Sequence, residues 1–143
     1  GYRLVRLGSF MAREGIASFM INILLSKLPH TWLLDLDGTI LRHNGHLGSG
    51  DVVLPGVKEF WLKIPHGDSI ILLSAREEKY RVSTEGFLID NDLRFDVLIM
   101  GLPKGERILI NDKKPGGLQT AISLNVDRDQ GTQGYSIFIS DDI

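Results

Sequence analysis

Along the 143-residue chain, short apolar runs alternate with stretches whose apolar positions recur every three or four residues. That alternation is the sign of a parallel sheet covered by helices. Strands are predicted at Trp32 to Leu36, Ser69 to Ser74, Phe95 to Met100 and Ile108 to Asn111, with later ones near Ile122 to Val126 and Tyr135 to Ile139. Helices are expected from Gly56 to Ile64, announced by Pro55, and from Glu77 to Asn91, where Tyr80, Phe87 and Leu88 supply part of an apolar face. Ahead of the first of these strands, Ile16, Phe19, Met20, Ile23 and Leu24 follow helical spacing, with Ser9 as an N-cap and Pro29 just past the end. The expected organisation is an amphipathic helical segment over 1–29 followed by one α/β domain over 30–143.

Composition narrows the function classes. The formal net charge of -2 gives no electrostatic case for nucleic acid or an anionic membrane. Without cysteine there is no disulfide, thiolate metal site or cysteine nucleophile, which fits a reducing compartment, and a cytoplasmic location is expected. The apolar stretch from Ile16 to Leu28 falls short of the ~20 residues of a membrane span and is interrupted by Ser18, Asn22 and Lys27. A basic start before an apolar run is also the outline of a signal peptide, but no small-residue cleavage site follows, so a packed helix is expected. The polar segment Arg128 to Gly134 reads as a mobile connection.

In open parallel sheets the functional crevice lies outside the carboxyl ends of the strands. There the sequence gathers Asp35, Asp37, Gly38 and Thr39 after the first predicted strand of the domain, and Ser74, Ala75 and Arg76 after the second. Gly101 and Lys104 follow the third, and Asn111, Asp112, Lys113 and Lys114 the fourth. Carboxylates suit a hard divalent cation such as Mg2+, while hydroxyls and cations suit phosphate oxygens. Two carboxylates at the tip of a buried strand repel each other, which points to chemistry rather than packing.

The run Asp35-Leu36-Asp37-Gly38-Thr39 resembles the first motif of the haloacid dehalogenase superfamily of phosphohydrolases. Ser74 stands where that family has its second-motif Ser or Thr, and Ala75-Arg76 resembles the usual continuation. Asp112, closing "RILIND", stands where the family places a metal-binding acid. The resemblance spans Thr31 to Val126 and implies a Rossmann-like three-layer sandwich with a mainly parallel central sheet. It also implies a Mg2+-dependent phosphomonoesterase in which Asp35 is nucleophile and metal ligand, Asp37 is general acid and base and a further metal ligand, and Asp112 is a metal ligand. Ser74 and a lysine would stabilise the transferring phosphoryl group. Gly38, Thr39, Ala75, Arg76 and Lys113 would line the substrate.

Two features depart from the family pattern. Lys104 is the first choice for the third-motif lysine, with Lys113 and Arg76 as alternatives, although only "GER" separates Lys104 from the fourth predicted strand. The fourth motif has Asn111 before Asp112 and glycines after it, where many relatives carry a second acid. Neither family insertion point is long enough for a cap domain, so the loop Arg42 to Asp51, with His43 and His46, is expected to overhang the site as a flap. A small phosphorylated substrate follows; the family's short form and the run from Ile108 to Val126 resemble small bacterial members associated with sugar-phosphate or surface-polysaccharide metabolism. A homo-oligomer through the N-terminal helix is a further expectation. The rival reading is a catalytically weak or inactive binding or regulatory subunit, against which the retention of both Asp35 and Asp37 argues. A phosphate-accepting signalling domain is disfavoured, because its phosphorylated Asp follows the third strand, where this chain has Met100 and Gly101.

Overall fold

A computed structural model describes residues 5–13 and 16–143, with side chains from Met20 onward. The described residues form two three-stranded sheets and two α-helices, and the chain divides into two compact units. Three of the four strand pairings are parallel, so the protein is α/β with mainly parallel sheets.

One unit comprises Pro29–Gly105 and Val126–Gln133. Its sheet runs β3 (Thr31–Asp35), β4 (Ser69–Leu73) and β5 (Val97–Ile99), all parallel, in the order β3-β4-β5. Helix α1 (Val57–Lys63) connects β3 to β4 and helix α2 (Arg81–Asp90) connects β4 to β5, because parallel neighbours need a crossover. The central strand is the most apolar: Ile70 and Leu72 are fully buried and are joined in the core by Leu36, Ile40, Leu41, Val57 and Leu88. Trp61 of α1 is also buried and donates from Nε1 to the Arg94 carbonyl at 2.9 Å, while Trp32 of β3 meets Phe60 edge-on at 5.8 Å. Below the sheet, Asp68 accepts from the His30 backbone at 3.0 Å and from Trp32 Nε1 at 2.9 Å, which ties the starts of β3 and β4 together.

Most of these elements match the expected ones to within a residue or two, but the second helix starts late. Glu78–Tyr80 forms a 3-10 turn and α2 begins at Arg81. The segment from Arg128 to Gly134, expected to be mobile, is instead pinned through its Asp129–Thr132 stretch. The Asp129 amide donates to the Gly38 carbonyl at 2.8 Å, and the Thr132 amide to the Pro55 carbonyl at 2.9 Å.

The other unit comprises Gly1–Leu28, Glu106–Asn125 and Gly134–Ile143. Strand β1 (Val5–Arg13) pairs antiparallel with β2 (Ile16–Ser26), and β2 pairs in parallel with β6 (Tyr135–Ser140). The helix expected before Pro29 is therefore a strand, and Ser9 lies within β1 rather than at a cap. The residues that satisfied helical spacing overlap a period-two set, and Ile21, Ile23 and Leu25 are buried while Met20 is exposed and Asn22 and Leu24 lie between. β-branched Ile residues and a partner strand on each side favour the pleated arrangement. The oligomer expectation loses the helix on which it rested.

The fourth predicted strand does not form. Ile108, Leu109 and Ile110 are 83%, 51% and 89% exposed, and no regular element occurs between Glu106 and Asn125. An isolated apolar run without a ladder partner has nothing to satisfy its backbone groups as a strand. The strand expected near Ile122 to Val126 is absent for the same reason.

Candidate active site

The chain leaves β3 at Asp35 and turns sharply. The Leu36 carbonyl accepts from the amides of Thr39, Ile40 and Leu41, and Gly38 has φ +87, a left-handed conformation that a side chain would strain. A Cβ there would also press on Arg128 Cγ at 3.1 Å. This turn places Asp35, Asp37 and Thr39 at the carboxyl end of the strand. The Thr39 hydroxyl donates to Asp35 Oδ2 at 2.7 Å, which orients the carboxylate.

Just after β4 comes fully buried Ser74, whose hydroxyl donates to Asp37 Oδ2 at 2.8 Å and accepts from the Arg76 amide at 3.0 Å. The turn is braced by the end of β5 and the residues after it: the Ser74 amide donates to the Ile99 carbonyl, and the Gly101 amide to the Arg76 carbonyl. Arg76 is 4% exposed. Its Nε donates to Asp37 Oδ1 at 2.9 Å, its terminal nitrogens make a bidentate pair with Asp51 at 2.7 and 3.0 Å, and Nη1 also reaches Thr84 at 2.9 Å. Burial works against the charged form of Arg76, and the Asp51 and Asp37 carboxylates overcome it, so its pKa is raised.

The flap forms as a tight excursion. Arg42 and Leu54 hydrogen-bond back to Val52 and Ile40, and a short 3-10 turn spans Gly45–Leu47. The His43 amide donates to Asp129 Oδ1 at 2.8 Å, joining the flap to the returning segment. The His46 side chain is 9% exposed, its Nδ1 lies 4.0 Å from Asp37 Oδ1, and its ring meets Tyr80 edge-on at 4.7 Å. Burial first, and then the Arg76 charge, push the His46 pKa below 6.5, favouring neutral imidazole.

The structure thus brings together Asp35, Asp37, Gly38, Thr39, Ser74, Ala75 and Arg76 in one unit. Lys104 belongs to the same unit and is exposed in the loop after β5. Asp112 and Lys113 belong to the other unit and are exposed; there the Asp112 carbonyl accepts from the Thr120 hydroxyl. Neither Asp51 nor Thr84 was among the expected site residues, yet both hold Arg76. The signal for Asp51 was chemical: a buried arginine needs anions, and Asp51 closes the flap that begins at Arg42.

Among the described residues no group of three or more His, Cys, Asp or Glu side chains is arranged to hold a metal. The side-chain donors gathered just beyond β3 and β4 are nonetheless oxygens: the Asp35 and Asp37 carboxylates and the Thr39 and Ser74 hydroxyls. That chemistry fits Mg2+, which takes one or two carboxylates and keeps several waters.

No family model matches the chain, and no curated protein matches it. Among solved structures, a chain in the structure of a Pnkp1/Rnl/Hen1 complex is similar, at 31% identity over 57% of this chain and 31% of that one, with a TM-score of 0.45. The present chain thus spans about a third of the length of that protein.

Proposed function

We propose that the protein is a capless, Mg2+-dependent phosphomonoesterase of the haloacid dehalogenase type, with a Rossmann-like three-layer fold, acting through an aspartyl-phosphate on Asp35. The observation that carries this reading is the pairing at the carboxyl end of parallel strands: Asp35 oriented by Thr39, and Asp37 two residues on, oriented by Ser74.

In the proposed reaction an Asp35 oxygen attacks phosphorus and the bond to the leaving oxygen breaks. Asp37 gives that oxygen its proton, then takes a proton from the water that attacks the aspartyl-phosphate, releasing Asp35 and phosphate. Each Asp37 oxygen accepts one hydrogen bond in the resting geometry and retains a second lone pair for the transferred proton. The Ser74 hydroxyl and Lys104 would stabilise charge on the transferring group. Mg2+ held by Asp35 and the Asp37 carbonyl would offset repulsion between the carboxylate and a phosphate dianion. The substrate class is a small phosphorylated metabolite such as a sugar phosphate, in a cytoplasmic setting.

A weakly active or inactive binding subunit is the second reading. It is favoured by the engagement of Asp37 with Arg76. Hydrolysis of p-nitrophenyl phosphate with and without Mg2+ by wild type, Asp35→Asn and Asp37→Asn separates the two. Mg2+-dependent turnover that both substitutions abolish is the expected result. A silent wild type favours the binding subunit, and activity that survives Asp35→Asn removes the proposed nucleophile.

A further inference from the structure

The four hydrogen bonds from the Arg76 side chain give it a specific task. A guanidinium is a rigid planar fork, so fixing its two terminal nitrogens fixes the plane and hence the direction of the Nε–H bond. Asp51 does this from the end of the flap, with oxygens 2.7 and 3.0 Å from those nitrogens, and Thr84 adds an anchor from α2. The remaining donor, Nε, is aimed at Asp37 Oδ1 at 2.9 Å. The side chains are 1% exposed at Arg76, 10% at Asp51 and 14% at Asp37, so water competes poorly for these bonds. His46, from the same flap, lies 4.0 Å from the same Asp37 oxygen.

We infer that Asp51 is a positioning residue: through Arg76 it sets the orientation of the Asp37 carboxylate, and so couples the flap to the proton-transfer group. The inference rests on the phosphatase reading for the role of Asp37, while the linkage itself rests on geometry alone. A flap displaced by substrate would loosen the fork and free Asp37; a flap in place holds Asp37 ready. The sequence assigned Arg76 to substrate, whereas its donors face Asp37, Asp51 and Thr84.

Two measurements on the full chain test this. In steady-state hydrolysis of p-nitrophenyl phosphate, Asp51→Asn is expected to lower kcat about tenfold or more, because small misplacement of a reacting group is costly, with KM changed less than about threefold. Asp51→Glu, which keeps an anionic fork partner, should recover part of that loss. In urea unfolding, Asp37→Asn and Asp51→Asn each leave Arg76 one anion, but together they strand a buried cation, so the double variant should lose more stability than the two losses added. Unchanged kcat in folded Asp51→Asn, or stability losses that simply add, overturns the inference. Should Asp51→Asn fail to fold, Asp51→Glu replaces it in the kinetic measurement: kcat within about twofold of wild type then overturns the inference, and reduced kcat with KM little changed supports it. A wild type silent toward p-nitrophenyl phosphate would sink the phosphatase reading, while the unfolding cycle would still decide the Asp51–Asp37 linkage.

Discussion

Ser74 and Asp37 are joined by a 2.8 Å hydrogen bond from the hydroxyl at the tip of β4 to the carboxylate just beyond β3. The bond crosses between adjacent parallel strands, and the same hydroxyl accepts from the Arg76 amide. Ser74→Ala leaves the half-buried Asp37 carboxylate and the buried Arg76 amide with one partner fewer, and stability should fall by about 1–3 kcal/mol, read by urea unfolding. Turnover of p-nitrophenyl phosphate should fall as well; a variant as active and stable as wild type would detach Ser74 from the site.

Asp68 provides a pH dependence. Burial pushes its pKa up, but hydrogen bonds from Trp32 and His30 outweigh that and hold it below 3.8. The unfolded chain therefore binds the proton more readily, so this contribution to stability is fully present above 3.8 and is lost as pH falls through the lower folded value. Urea midpoints should decline below that pH, and Asp68→Asn should be less stable at neutral pH with a shallower acid decline. Parallel acid declines in the two proteins would contradict the assignment.

Gly131 has φ +75, and a Cβ on it would be driven into the Pro55 carbonyl. The neighbouring Thr132 amide uses that same carbonyl. Gly131→Ala should cost about 1–3 kcal/mol through backbone strain alone, before the clash is relieved. A thermal midpoint equal to that of wild type would mean that the returning segment is not pinned as described.

Mg2+ should stabilise the protein by mass action, by about 2.7 kcal/mol at a hundred times its Kd. Asp35→Asn should remove the shift in thermal midpoint, and chelation should abolish hydrolysis while leaving the far-ultraviolet circular dichroism unchanged.

Lys104→Ala and Lys113→Ala separate the two candidate phosphoryl-binding lysines. The larger loss of kcat/KM, on the order of a hundredfold, is expected at Lys104, which shares a unit with Asp35 and Ser74. The larger loss at Lys113 would reverse the assignment.

By itself the sequence determined the β3-β4-β5 sheet and both helices of that unit, because apolar runs bounded by Pro, Gly and Asp are local signals with few competing solutions. It also determined the turn at Gly38 and the meeting of Asp35, Asp37 and Ser74, since parallel strands deliver the residues after them to one edge. Tertiary structure alone decided the rest. Ile16 to Ser26 satisfies helical and alternating periods at once, and the choice fell to the strand when β1 and β6 supplied ladder partners on both sides. Ile108 to Ile110 has the composition of a strand and no ladder partner among the described residues, so it stays exposed. The clamp of Asp51 on Arg76 joins residues 25 apart through a flap with no periodic pattern. Such a contact is set by where a buried cation finds its anion, and no local rule encodes it.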